Sequence, residues 1–208
     1  MSRLFSWKGL LAAMIALPLV LSYCNFRPEL NLAASGKSDY IIIISASADS
    51  LDMVAAFEFQ RYFHEISGAI LPIHLDSSEY IGKEVIIGMN KHLDKIGILE
   101  ETNALKPGGF LIRTADDALI IAGKGEKGTL YGVYTFLEDY LGCRMYAPDV
   151  LVIPKNPVIS VPEINVIQNP LITFRELHFP IRSSQQYLDW HKLHWKGTNQ
   201  EDWGMWVH

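Results

Sequence analysis

The sequence predicts an α/β sandwich in which two main helices pack on a mixed sheet. Three observations carry this. Residues 40–45 form a continuous apolar run with four isoleucines, the pattern of a strand buried on both faces. Leu51, Ala55, Phe59, Tyr62, Phe63 and Ile66 recur at helical spacing, and so do Leu130, Val133, Tyr134, Leu137 and Leu141. Asp116-Asp117 separates the apolar segments 109–114 and 118–122, as the turn of an antiparallel hairpin does.

Taken in order, the chain opens with Arg3 and Lys8 before an apolar run at 9–21, and Cys24 follows at once. A basic start, a short apolar stretch and a processing site are the grammar of a secretory signal. The run is too short to span a bilayer well and contains Pro18. Leu21-Ser22-Tyr23-Cys24 resembles a bacterial lipobox, except that Tyr23 stands where a small residue is usual. Residues 1–24 are thus expected to be a signal peptide of lipoprotein type, with Cys24 lipidated. The mature protein would be an exported lipoprotein of the cell envelope, tied to the membrane by that lipid. Residues 25–38 have little pattern and read as a tether.

The domain itself is expected over 39–161. Asp49 is placed to cap the first helix and Gly68 to end it in a left-handed turn. Segments 71–75 and 84–88 read as two further strands. The second helix runs over about 128–141 and Gly142 closes it. From Pro148 on, prolines recur at 154, 157, 162 and 170, which reads as an extended connector.

Composition excludes several classes. Apolar residues make up 49% and charged residues 20%, which is globular and not disordered. A net charge of −5, without a block of Lys and Arg, argues against a nucleic-acid partner. The two cysteines, Cys24 and Cys143, make neither a disulfide framework nor a CxxC metal pair. His191 and His194 lie three apart on an expected helix, but no third ligand of matching logic accompanies them, so no metal is expected.

Gly123, Gly125 and Gly128 form a GxGxxG after an apolar strand and before a helix, with Asp149 about twenty residues on. That is the setting of a dinucleotide fold. Against it stand the hairpin context of the strand, Glu126 inside the loop, the lack of further βαβ units and the export signal. The glycines are expected to make a tight strand-to-helix turn, and no cofactor is expected.

Several phrases together resemble one domain family. They are Ala55-Ala56-Phe57-Glu58-Phe59-Gln60-Arg61-Tyr62 through Ile66-Ser67-Gly68, Leu71-Pro72-Ile73, and Gly109-Phe110-Leu111-Ile112-Arg113. Gly128-Thr129-Leu130-Tyr131-Gly132-Val133-Tyr134 is the most specific, and Gly142-Cys143-Arg144 with Tyr146-Ala147-Pro148 completes the set. The stretch 40–180 is similar to the N-terminal domain of family 67 α-glucuronidases. The same domain precedes the barrel in family 20 hexosaminidases and occurs in uncharacterised secreted bacterial proteins. Met145 stands where these families place an aromatic residue. The resemblance implies a non-catalytic domain packed on a (β/α)₈ barrel that holds the active site.

On that resemblance, residues 162–208 are a connector and the first strands of a truncated catalytic barrel. Pro170-Leu171-Ile172-Thr173-Phe174-Arg175-Glu176 looks like the first barrel strand, 185–195 the first barrel helix, and 203–208 the second strand. In family 20 an arginine near the end of the first strand holds sugar hydroxyls, and Arg175 is similarly placed. A guanidinium suits this work, since it offers several fixed donors and stays charged. Trp206 is able to stack on a sugar face, and His208 would lie towards a strand's C-terminal end. Glycoside hydrolysis needs two carboxylates across the scissile bond. Asp116-Asp117 sits in a hairpin turn, Glu138-Asp139 on a helix face, and Glu201-Asp202 at the wrong end of a barrel strand. No catalytic residue is therefore assigned. The expected function is the non-catalytic front part of a secreted, α-glucuronidase-like hydrolase acting on xylan-type polysaccharide. The alternative is a surface lipoprotein that binds glycans without cleaving them.

Overall fold

The apolar runs build a six-stranded mixed sheet. The computed structural model describes residues 29–125, 127–172, 175 and 184–194. Along the chain, β1 (Leu30–Ala33) and β2 (Ile41–Ile44) precede the long helix α1 (Ser50–Ser67). Then come β3 (Ile73–Leu75), β4 (Glu84–Ile87), the short helices α2 (His92–Ile96) and α3 (Leu99–Asn103), and the hairpin β5 (Phe110–Ala115) and β6 (Ala118–Gly123). Helix α4 (Gly128–Asp139) is followed by β7 (Arg144–Ala147), β8 (Val150–Val152), β9 (Ile159–Val161), β10 (Asn165–Gln168) and α5 (Gln185–Trp190). The main sheet runs β10-β5-β6-β4-β2-β3, parallel from β6 to β3 and antiparallel at β5 and β10.

Local signals work as physical chemistry requires. Asp49 is extended and its carboxylate accepts from the N–H groups of Leu51 and Asp52, at 2.9 and 2.8 Å, satisfying donors the first turn of α1 leaves open. Gly68 closes α1 at φ 80°, a conformation only glycine adopts without cost. Both long helices cover one face of the sheet, over Ile42, Ile44, Val85, Ile87, Leu119 and Ile121. The other face, with Ile43, Ile86, Leu111 and Ile120, is covered by Leu93, Ile98 and Leu105 of the α2–α3 region. A parallel strand buried on both faces has no polar face to show, which is why its sequence reads as an unbroken apolar run.

Several boundaries move. The expected tether at 25–38 contains β1, which pairs antiparallel with β9 and buries Leu30, Leu32 and Ala33. Its partner lies some 130 residues away, so no local pattern reveals it. The domain does not end at 161 either. β10 adds to β5 as the edge strand of the main sheet, and the proline-rich stretch contributes β8 and β9 as well. Prolines punctuate these three strands, and all three are short, which hid them.

Within 185–195, the segment expected as a barrel helix, Gln185–Trp190 form the short helix α5. It docks on the domain's helical face. Trp190 is 1% exposed and packs against Tyr62 and Tyr134, with ring centroids 5.7 and 4.8 Å away. Gln186 donates to the Tyr62 hydroxyl and to Glu58, which also accepts from Tyr134. Leu171 and Ile172, expected in a barrel strand, reach the surface at 97% and 67% exposure. Residues 173–174 and 176 of that strand, and the expected second strand with Trp206 and His208, lie outside the described residues, as does Cys24.

Candidate functional site: a cavity at the first turn of α4

The glycine loop was expected to be a tight turn, and its contacts have that character. Lys124 donates its N–H to the Gly109 carbonyl and accepts from Gly108, at 2.9 and 2.8 Å. A Cβ on Gly123 would overlap the backbone of Gly128 and Thr129, and one on Gly128 would stand 2.5 Å from the Gly109 carbonyl. The glycines therefore let β6, the start of α4 and the turn before β5 close on one another. β6 is antiparallel to β5, as the hairpin pattern implies, but it is also parallel to β4. The sequence did not reveal that second pairing.

Open α/β sheets hold ligands at the C-terminal edge where the strand order reverses. Here that point lies between β2, which continues to β3, and β4, which continues towards β5. Asp52 fills it from within. A Cβ on Gly88 would meet the Asp52 carboxylate at 2.8 Å, and the Thr129 hydroxyl bonds the same carboxylate. Burial raises the Asp52 pKa most, and the Thr129 bond opposes this.

A cavity of about 210 Å³ opens on the opposite side of the α4 first turn. It is lined by Gly108, Gly125, Lys127, Tyr131, Arg175 and His194, with Pro107 and Pro170 at its walls. Lys127 and Tyr131 are one helical turn apart, while Thr129 is rotated from Tyr131 by about 200°. Lys127 is the N-cap residue of α4 and offers the turn no side-chain acceptor. Its ammonium bonds Asp189 of α5 at 2.7 Å, and Gln185 holds the same carboxylate oxygen.

Arg175 is the sequence-assigned substrate residue that the structure describes, and it enters this cavity. Its Nε donates to the Lys192 carbonyl at 2.8 Å, and its own carbonyl accepts from the N–H of His194 at 2.7 Å. Lys192 stands at φ 57°, a strained conformation for a side-chain-bearing residue. The guanidinium faces the Tyr131 hydroxyl. Tyr131 is 1% exposed, yet its hydroxyl has no hydrogen-bond partner of ordinary geometry. Burial, then the nearby Asp189 charge, pushes its pKa up to about 12, so it stays a donor at neutral pH. Burial, then the Arg175 and Lys127 charges, pushes the His194 pKa down, keeping its imidazole neutral.

A larger hollow of about 320 Å³ lies at the far end of the β5–β6 hairpin. Its walls carry Glu29, Asp116, Asp117 and Glu163, and nothing there gathers donors. His191 and His194 do not share a target: His191 Nε2 lies 3.0 Å from the Met145 carbonyl, and His194 joins Arg175. Helix α5 ends before them, so helical spacing does not apply. Among the described residues no group of three or more His, Cys, Asp or Glu is placed to hold a metal. Lys127, Tyr131 and His194 were not singled out as site residues from sequence. Tyr131 does sit within the most specific phrase of the resemblance, which was the available signal.

A mixed sheet with two long helices on one face, β10 at its edge and a short helix docked by a tryptophan defines an α/β domain. The sequence matches the family model "Glycosyl hydrolase family 67 N-terminus" over residues 27–136, and the chain belongs to that family. Among solved structures it resembles a family GH115 4-O-methyl-α-glucuronidase with specificity for decorated arabinogalactans, at TM-score 0.53 and 19% identity. The match covers 71% of this chain and 19% of that one. The Streptomyces plicatus N-acetyl-β-hexosaminidase aligns at TM-score 0.46 and 13% identity, over 72% and 25% of the two chains. Flavobacterium johnsoniae chitobiase aligns at 0.41 and 15%, over 73% and 21%. No curated protein matches. This chain thus spans about a fifth to a quarter of the length of these solved relatives.

Proposed function

We propose that this chain supplies the non-catalytic N-terminal domain of an exported, α-glucuronidase-like glycoside hydrolase that acts on xylan-type polysaccharide. The family match over residues 27–136 carries this reading. The exposed Leu171 and Ile172 support it, since apolar side chains at the surface suit burial against a further layer of protein. In this reading Arg175 helps hold the sugar, together with Trp206 and His208, and the catalytic carboxylates lie in the barrel. The signal pattern at 1–24 supports export, and Cys24 takes the lipid that holds the protein at the membrane.

The test is turnover of aryl glycosides and glucuronoxylan oligosaccharides by the whole protein, its Arg175→Ala variant and residues 25–208 alone. The whole protein is expected to release uronic acid, and the 25–208 chain to release nothing. Arg175→Ala should lower kcat/KM by more than about tenfold, equal to roughly 1.4 kcal/mol, without unfolding the protein. Turnover by the 25–208 chain would overturn the non-catalytic assignment. A whole protein inert on every glycan would favour a glycan-binding lipoprotein. Palmitate labelling of cells that is unchanged in Cys24→Ala would refute the lipid anchor.

A further inference from the structure

We propose that the cavity at the first turn of α4 is a binding site for a carboxylate, of the kind a uronic acid carries. The sugar-acid class rests on the glycosidase reading, while the anion chemistry rests on the cavity itself. Among the described residues, the lining includes two fixed cations, Lys127 and Arg175, and no carboxylate. Asp189 stands behind Lys127 and takes one of the three donors an ammonium offers. Asp52 serves the other side of the α4 first turn, at Thr129, and does not line the cavity.

Tyr131 is the second, independent sign of a ligand. Its side chain is buried, lines the cavity and carries a hydroxyl without a hydrogen-bond partner of ordinary geometry. A carboxylate oxygen accepts from a phenol and from a guanidinium at once, and these two donors face each other here. Arg175 is held for the purpose: its Nε is bonded to Lys192, and its backbone is paired with His194. The neutral His194 adds no competing charge. Gly108 and Gly125 leave the opposite wall bare, and a Cβ on Gly108 would stand 4.0 Å from the Tyr131 ring. The 210 Å³ of space equals roughly seven waters at about 30 Å³ each, room for one sugar acid.

The experiment is calorimetry on the whole protein with D-glucuronate, acetate and D-glucose, for the wild type, Tyr131→Phe and Lys127→Gln. Glucuronate should bind saturably in the millimolar range, and glucose should not. Tyr131→Phe keeps the ring and removes only the donor, so at least a fivefold weaker affinity is expected, with an unchanged melting temperature. Lys127→Gln should weaken binding as well. Acetate binding as tightly as glucuronate would overturn the sugar-acid class. No saturable binding of either acid at about 10 mM, or equal affinity in Tyr131→Phe, would overturn the site. A whole protein that hydrolyses glucuronoxylan yet fails this test would leave the glycosidase reading standing and remove the cavity's role.

Discussion

Trp190 offers the sharpest test of how the C-terminal segment joins the domain. The side chain is 1% exposed and sits between Tyr62 of α1 and Tyr134 of α4. Truncating a buried tryptophan to alanine costs about 3–5 kcal/mol. That range is an upper bound here, because α5 is able to peel away and leave the sheet intact. With a urea m-value of about 2 kcal/mol/M, the midpoint of Trp190→Ala should fall by about 1–2 M. Trp190→Phe separates packing from polarity. The indole Nε1 is buried without a hydrogen-bond partner, so losing it removes no bond. The phenylalanine keeps most of the aromatic contact, and its cost should stay below about 1.5 kcal/mol. Equilibrium urea unfolding followed by circular dichroism reads both. A shift under about 0.3 M for Trp190→Ala, or equal losses for the two variants, would refute the docking of α5.

Two further predictions concern the domain's interior. Gly132→Leu should destabilise by about 1–3 kcal/mol through overpacking, since even a Cβ there would stand 2.8 Å from Ile121 Cγ2 and 3.3 Å from Phe110 Cβ; an unchanged denaturation midpoint would contradict this. Asp76 accepts from the N–H groups of Ala46 and Lys91, at 2.9 and 3.1 Å, and so links the ends of β2, β3 and β4. Asp76→Ala should cost about 2 kcal/mol at pH 7 by orphaning those donors. Burial raises the Asp76 pKa, but the two backbone bonds and the Lys91 charge outweigh it and hold the carboxyl below its ordinary value. A carboxyl depressed in the folded state stabilises the fold above the unfolded pKa of about 3.9 and loses that effect as pH falls through the folded value. The gap between wild type and variant should therefore be full at pH 7 and narrow below about pH 4. A gap of equal size at pH 7 and pH 3 would contradict the assignment.

Patterns with a short period were legible in the sequence because they report burial of contiguous residues. The isoleucine run of β2, the stripe from Leu51 to Ile66 and the hairpin about Asp116-Asp117 each declare their own geometry within a few residues. The caps Asp49 and Gly68 did so for the same reason, since capping is a local bond between neighbours in sequence. Met145, which stands where the similar families place an aromatic residue, is 3% exposed. Helices α2 and α3 escaped because five residues each are too few to show a stripe.

The amino-acid sequence by itself determined the fold class, the family and the identity of the strand-to-helix turn at Gly123 to Gly128. Only the tertiary structure decided where the domain ends and what gathers around Arg175. β1 with β9 and β10 with β5 are pairings between distant segments, and a three- or four-residue strand carries no signal of its partner. The cavity is likewise long-range. Lys127 and Tyr131 come from α4, and Arg175 and His194 from a segment more than 40 residues on. They meet because Trp190 sinks between Tyr62 and Tyr134 while Asp189 reaches Lys127. Burial of an aromatic ring and a charge-assisted bond reward proximity in space, whatever the separation along the chain, and that proximity exists only once the chain has folded.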